Sequence, residues 1–443
     1  MKHNFRIVIG MLLFAIPLCL TAQVKPTKPD SPEGDKPKVE KPVKPEKPNG
    51  PEMKPEKPGM PEKPGRPDMP GKPGKRPDMP EKPMKPGKDA SAGAGGAFMP
   101  KISGFVQGMY QANLTDEGEL SSNTFRMRRV RMSVDGNLSP KVSYKLQGDF
   151  SRSPMLVDAY VKYKACNAFA VQVGQFKTPF TIESPINPVN LEIFDYGEII
   201  QQLGGYKDVC GVGGLGRDIG VMFTGDLFPV KDMSYSIVNY AVGVFNGNGP
   251  TTTDNNNRKD LVGRLEVHPG LKDLTLSGSY YYGKYNKDED YNGIRNRWAA
   301  GAQYNDGKLV IRSEYLSGTT GYQGFEGEGA PDQFNSFGYY AMAGYNFQFG
   351  KEGKIQKLMP VLRYEHFEQQ TGVFGIQTAD HVVYYLPNVS APTSYYTVGI
   401  NYWPIKSVNF KLDYSFIDGQ KKIDDNYQPN HSHRVVGILS YKF

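Results

Sequence analysis

From Lys101 to Phe443 the chain alternates apolar and polar residues with a period of two, in stretches interrupted by clusters of Gly, Asn, Asp and Pro. Period two belongs to a strand whose faces meet different media, and a helix cannot use it. Candidate strands fall at 102–113, 124–137, 142–151, 156–164, 169–176, 217–226, 234–246, 259–268, 273–283, 295–305, 308–318, 336–349, 358–368, 394–403, 408–418 and 432–443. The connections alternate in length. Leu138 to Lys141, Ala165 to Asn167, Pro269 to Leu271, Asn305 to Gly307 and Pro404 to Ser407 are tight; 247–258, 319–335 and 368–393 are long and polar. Short turns on one rim and long loops on the other, with an even number of strands, predict an all-β fold: a closed transmembrane antiparallel barrel of about sixteen strands.

Everything before residue 99 has another texture. Met1 to Ala22 carries Lys2 and Arg6 before an apolar run, which reads as a secretory signal cut after Ala22. Residues 23–98 are expected to be a disordered extension in the periplasm: 19 of the 65 residues from 24 to 88 are proline, mixed with Lys, and DASAGAGGAF follows as a joint. As polyproline II it would reach on the order of 200 Å, a spacer or a tether to peptidoglycan. Residues 99–443 then form the outer-membrane domain. After the signal no apolar run is long enough for a membrane helix, which says nothing against spanning strands.

Charge is unevenly spread. The 17 basic and 11 acidic residues of 24–88 supply +6 of the overall +7 and the signal adds +2, so residues 89–443 carry −1. A near-neutral domain has no electrostatic footing for nucleic acid. Cys166 and Cys210 imply no disulfide framework, and no P-loop, dinucleotide fingerprint or CxxC site is present. The histidines have no Ser or Asp partner in a motif; His431-x-His433 reads as a solvated loop end rather than a metal site on one strand face, so no enzyme, metal or cofactor is expected.

The stretch FRMRRVRMSVDGNL places four arginines in six residues. Strict alternation puts Val130, Met132 and Val134 toward lipid together with Arg126 and Arg128, and turns Arg129 and Arg131 into the lumen. By the same parity Lys145, Lys162 and Lys164 face inward, so one wall collects five cations that lower the energy of a passing anion. Arg264 with Glu266, Arg312 with Glu314, Arg363 with Glu365 and Lys411 with Asp413 are read as pairs that neutralise each other within the lumen. The irregular segment from Gln175 to Asp218 is long enough to fold inward as a third loop and narrow the pore. Lys177, Glu183, Glu192, Asp195, Glu198, Lys207 and Arg217 would border that constriction, and its acids weigh against a purely anionic eyelet.

The blocks FRMRRVRMSVDGNLSPKVSYKLQGDF, LVDAYVKYKACNAFAVQVGQFKTPF, GRDIGVMFTGDL and YAVGVFNGNG resemble the phosphate-selective porin O and P family, in its Bacteroidetes type, over about Lys101 to Phe443. The terminal RVVGILSYKF looks like the recognition signal of barrel-assembly machinery, and Tyr280-Tyr282, Tyr339-Tyr340, Tyr384-Tyr385 and Tyr395-Tyr396 are expected to supply interfacial aromatic girdles, some of these tyrosines being ordinary loop or lumen residues. The resemblance implies a sixteen-stranded barrel in the lipid of the Gram-negative outer membrane, a homotrimer whose third loop sets the eyelet, and passage of small anions such as phosphate. Arg129 and Arg131 match the family's strand-borne arginines, and Lys177 lies in its Gln-Phe-Lys-x-Pro-Phe block. A structural or adhesive barrel anchored by the basic extension is the alternative expectation.

Overall fold

The computed structural model describes residues 99–443 except 213, 232–234, 286–292, 322–332, 351–355, 370–375, 378–381, 384–391 and 424–425. The expected signal, the expected proline-rich extension and Tyr384-Tyr385 lie outside the described residues. Among the described residues sixteen antiparallel strands build the barrel, in chain order: β1 (Lys101–Leu114), β2 (Leu120–Ser139), β3 (Val142–Asp149), β4 (Leu156–Cys166), β5 (Phe169–Lys177), β6 (Arg217–Pro229), β7 (Ser236–Phe245) and β8 (Asp260–Val267). The second half holds β9 (Leu274–Tyr285), β10 (Gly293–Asn305), β11 (Leu309–Gly321), β12 (Gln333–Tyr345, continued by Phe347–Phe349), β13 (Gln356–Gln369), β14 (Thr393–Ile405), β15 (Val408–Ile423) and β16 (Asn426–Lys442). Each strand pairs with the next, and β16 returns to β1 with Phe105 opposite Lys442 and Leu114 opposite His433. Closure removes the edges that an open sheet would expose. The expected strands coincide with these to within six residues at either end.

The two faces separate as the alternation requires. Leu362, Val398 and Leu412 stand outward and are 61%, 55% and 54% exposed, whereas Ser133, Gln147, Asp149, Arg312 and Ser415 point inward and are buried. An outward band of bare Leu and Val with a polar interior is the arrangement demanded by lipid outside. Near the long-loop rim, outward rings follow one another around the barrel: Trp298 to Tyr315 at 5.1 Å, Tyr364 to Tyr396 at 5.0 Å and Tyr396 to Phe416 at 6.0 Å. Of the expected girdle tyrosines, Tyr340 and Tyr395 instead face the interior.

One local departure changes the reading of the arginines. Gln107 pairs with Arg129, but the next residue of β1, Gly108, pairs with Met127, so Arg128 is the extra residue of a bulge. The bulge reverses the parity of the strand before it. Arg126 therefore lies opposite the inward Met109 and donates to Gln111, and Arg128 turns inward beside Arg129. The expected lipid-facing placement of Arg126 and Arg128 is corrected: all four arginines face the interior.

Candidate functional site: the inward loop and the lumen wall

The segment 178–216 enters the barrel because β5 ends in a buried cation. Lys177 donates to Ser184 O at 2.5 Å, Ile186 O at 2.9 Å and Tyr196 Oη at 2.8 Å, so the loop curls around the ammonium. Farther on lies α1 (Glu198–Leu203), too short to persist alone. Carboxylates hold its start: Glu183 accepts from Gly197 N at 2.9 Å, and Glu365 of β13 accepts from Ile199 N at 2.5 Å.

Apolar packing then fixes the loop against the wall. Phe180, Leu191, Ile193, Tyr196, Ile199, Ile200 and Leu203 form one buried cluster with wall residues that include Leu316, Tyr340, Met359 and Val361. At roughly 1.5–3 kcal/mol for each fully buried side chain, exposing the loop's share would cost on the order of 10–20 kcal/mol. This half of the loop stays docked. The interior is thus partly apolar where the loop docks.

Ion pairs ring the cluster. Asp195 accepts from Arg129 at 2.6 Å and from Arg128; Arg312 donates to both oxygens of Glu192 at 3.0 Å; Arg363 binds Glu183 at 2.5 Å and Glu365 at 3.0 Å; Arg297 binds Asp208 at 2.8 Å. Burial raises the Asp195 carboxyl, but Arg129 and Arg128 outweigh it and hold Asp195 at about 2. Burial, helped by Asp208, pushes the Cys210 thiol up to about 12, which leaves it unreactive. Further grips come from Asn401 and Lys411, which donate to the carbonyls of Glu192 and Leu191, and from Arg434, whose guanidinium lies 4.7 Å from the Phe194 ring centre.

Of the four neutralising pairs expected on the wall, Arg264–Glu266 and Arg363–Glu365 form, at 3.2 and 3.0 Å. The other two do not. Arg312 and Lys411 turn to the loop; Glu314 accepts from Ile182 N at 2.8 Å, and Asp413 is left without an ion pair to Lys411. In-strand spacing could not anticipate this, because the competing partners lie more than a hundred residues away.

The expected site residues divide into three groups. Arg129 is taken by Asp195 and Arg131 by Asp149 at 2.9 Å, so neither offers a free charge. Lys177, Glu183, Glu192 and Asp195 are internal fastenings of the loop, Arg217 is bound to Asp158 at 2.7 Å, Glu198 accepts from Gln202 and Lys207 is exposed. Lys162 and Lys164 line a cavity of about 450 Å³ toward the short-turn rim, with Thr224, Asp226, Arg264 and Glu266 around it. Lys145 faces inward on the adjacent strand, its charge felt by Asp158. Residues missed by the sequence reading are Arg128, Arg297, Arg312 and Asp208 as loop fastenings; the Arg295-x-Arg297 spacing is the signal that could have pointed to one of them.

Comparison with solved structures finds the same barrel. An anion-selective porin from Comamonas acidovorans superposes with a TM-score of 0.52 at 13% identity, covering 78% of this chain and 99% of that one. OmpT of Vibrio cholerae, folded in vitro, gives 0.50 at 12% identity, with 78% and 98% covered. OmpF of Salmonella typhi, in complex with daunomycin, gives 0.50 at 12% identity and the same coverage. A search of curated proteins found no match. Residues 101–308, which run from β1 through β10, match the family described as phosphate-selective porin O and P. The fold is that of outer-membrane porins, and residues 101–308, a little under half of the chain, are similar to the phosphate-selective porin O and P family.

Proposed function

We propose that the protein is a porin for small polar solutes with a preference for anions, phosphate among them. The observation that carries the preference is the contrast within the cavity beneath the loop. Its acids are occupied, Asp226 by Asn239 at 2.6 Å and Glu266 by Arg264 at 3.2 Å. Among the described residues no ion pair or hydrogen bond engages the ammonium groups of Lys162 and Lys164, which therefore offer their charge to whatever enters. The family description and the anion-selective relative of the same fold support this reading. A homotrimer is part of the proposal, since OmpT of the same fold has a trimer form. Channels in a planar bilayer under a KCl gradient test it: the reversal potential is expected on the chloride side, and cation selectivity or the absence of openings overturns it.

The grip of the loop across the lumen favours one alternative, a non-conducting barrel that anchors the envelope. β1 starts at the short-turn rim, with Lys101 opposite Asp135, which is where an extension on the periplasmic side would join. In that reading the proline- and lysine-rich segment contacts peptidoglycan. Retention of the isolated segment on peptidoglycan, together with silent bilayers, is the outcome that would favour the anchor.

A further inference from the structure

Arg297 of β10 is 1% exposed and held by the wall on three sides: Nη1 donates to Asn296 O at 3.0 Å and Thr319 O at 2.8 Å, and Nη2 donates to Thr320 Oγ1 at 2.9 Å. Those bonds fix the guanidinium independently of the inward loop. Nη2 also donates to Asp208 Oδ1 at 2.8 Å, while the buried Nε–H has no acceptor. The Nε–Nη2 edge of a guanidinium matches two oxygens of one carboxylate or phosphate group. Nη2 divides its two hydrogens between Thr320 Oγ1 and Asp208 Oδ1, so this edge holds at most one oxygen, and the Asp208 oxygen is shared with Cys210 N at 3.1 Å. The edge is incompletely filled.

Asp208 rides on the half of the loop that contributes least to the apolar cluster. Six of the thirteen residues from Gly204 to Gly216 are glycine. Gly205 O accepts from both Gly214 N and Gly216 N at 2.9 Å, pinching the neck of a short Ω-type loop, and Gly205 and Gly216 there have φ of 79° and 62°. A cavity of about 20 Å³ lies between this neck and the wall that carries Arg295 and Arg297. That volume holds one water and no oxyanion. Arg295 adds positive charge two residues away; its carboxylate partner is Asp260 at 3.3 Å, and the nearby Asp218 is occupied by Gly247 N at 2.7 Å.

We propose that the guanidinium of Arg297, through Nη2 and its unfilled Nε–H, is a binding site for a small oxyanion, a carboxylate or phosphate group, at which the chain's own Asp208 competes with the permeating solute. The inference rests on the anion-porin reading and assigns one place at which a passing anion is held.

Calorimetric titration of the detergent-solubilised full-length protein with inorganic phosphate tests the site without requiring conduction. Asp208→Asn is expected to tighten phosphate binding by about tenfold, the worth of one competing charge-assisted hydrogen bond. Asp208→Glu, which keeps the carboxylate, is expected to bind as the wild type does, and Arg297→Gln added to Asp208→Asn to abolish the gain. Acetate tested in parallel separates a general oxyanion site, where it follows phosphate, from one for phosphate alone. Heat-modifiable electrophoretic mobility identifies folded variants. Unchanged phosphate binding in folded Asp208→Asn, or a gain that survives Arg297→Gln, overturns the proposal. A wild-type channel that is silent or prefers cations defeats the porin reading instead, and the two failures are distinct.

Discussion

Glu192 of the inward loop and Arg312 of β11, 120 residues apart in the chain, are joined by two hydrogen bonds of 3.0 Å from the two terminal nitrogens of one guanidinium. A paired fork of this kind fixes direction as well as distance. Together with Arg363 on Glu183 and Arg129 on Asp195, it makes the loop part of the wall on opposite sides of the lumen.

Removing one partner of that fork is expected to cost more than a surface ion pair. Glu192→Gln leaves the Arg312 charge buried, with Gln303 at 2.7 Å and Glu183 3.9 Å away as its remaining neighbours. A loss of about 3 kcal/mol is expected, at the lower end for breaking a buried pair because Glu183 is already near. The measurement is the denaturant midpoint of the folded barrel in detergent. The exchanged pair Glu192→Arg with Arg312→Glu should recover part of the loss.

The outward face makes a separate prediction. Leu362 and Val398 lie opposite each other on β13 and β14 and are both exposed, at the height where lipid tails would meet them. Arginine in place of Leu362 should destabilise the barrel in liposomes by about 2–4 kcal/mol, the cost near the bilayer midplane. Arginine in place of the exposed loop residue Thr252 should be nearly neutral. Equal, small effects at both positions would contradict a lipid-facing wall.

These residues also show where sequence and structure part. Val130, Met132 and Val134 announce their face through spacing alone, and so do the remaining strand stretches, because one lipid-facing row per strand is a local property. Arg126 and Arg128 could not be placed that way: a bulge is set by the partner strand, and one inserted residue exchanges the faces. The inward loop was legible from its length, and its charged residues were noticed, but Leu191, Ile193, Ile199, Ile200 and Leu203 gave the stronger signal. They form no strand or long helix, so their apolar character has meaning only once Leu316, Met359 and Val361 face them across the lumen.

Acid should loosen the loop late. The Asp195 carboxyl sits at about 2, below the ordinary aspartate value of about 3.9, because Arg129 and Arg128 outweigh its burial. A depressed value means that the carboxylate's contribution is complete above about pH 4, declines as pH falls, and is gone below about 2. Single-channel conductance followed from pH 7 downward is expected to hold steady to about pH 4 and to change only below that. Asp195→Asn should show the low-pH conductance already at pH 7; a wild-type transition centred near pH 5 would mean that another group controls the loop.

The last prediction concerns the two lysines beneath the loop. Lys162 and Lys164 are two residues apart on one face of β4, so their side chains start about 7 Å apart and act on the same passing ion. Their field reaches about 10 Å at 0.1 M salt and only about 3 Å at 1 M. Replacing both by glutamine should therefore move the reversal potential toward the potassium side in 0.1 M KCl and leave it nearly unchanged in 1 M KCl. Arg131→Gln is expected to do less, because the Arg131 charge is already bound to Asp149. A shift of equal size at both salt concentrations would mean that the lysines act by shape, and a larger shift from Arg131→Gln would move the selective region to the wall around Arg131 and Asp149.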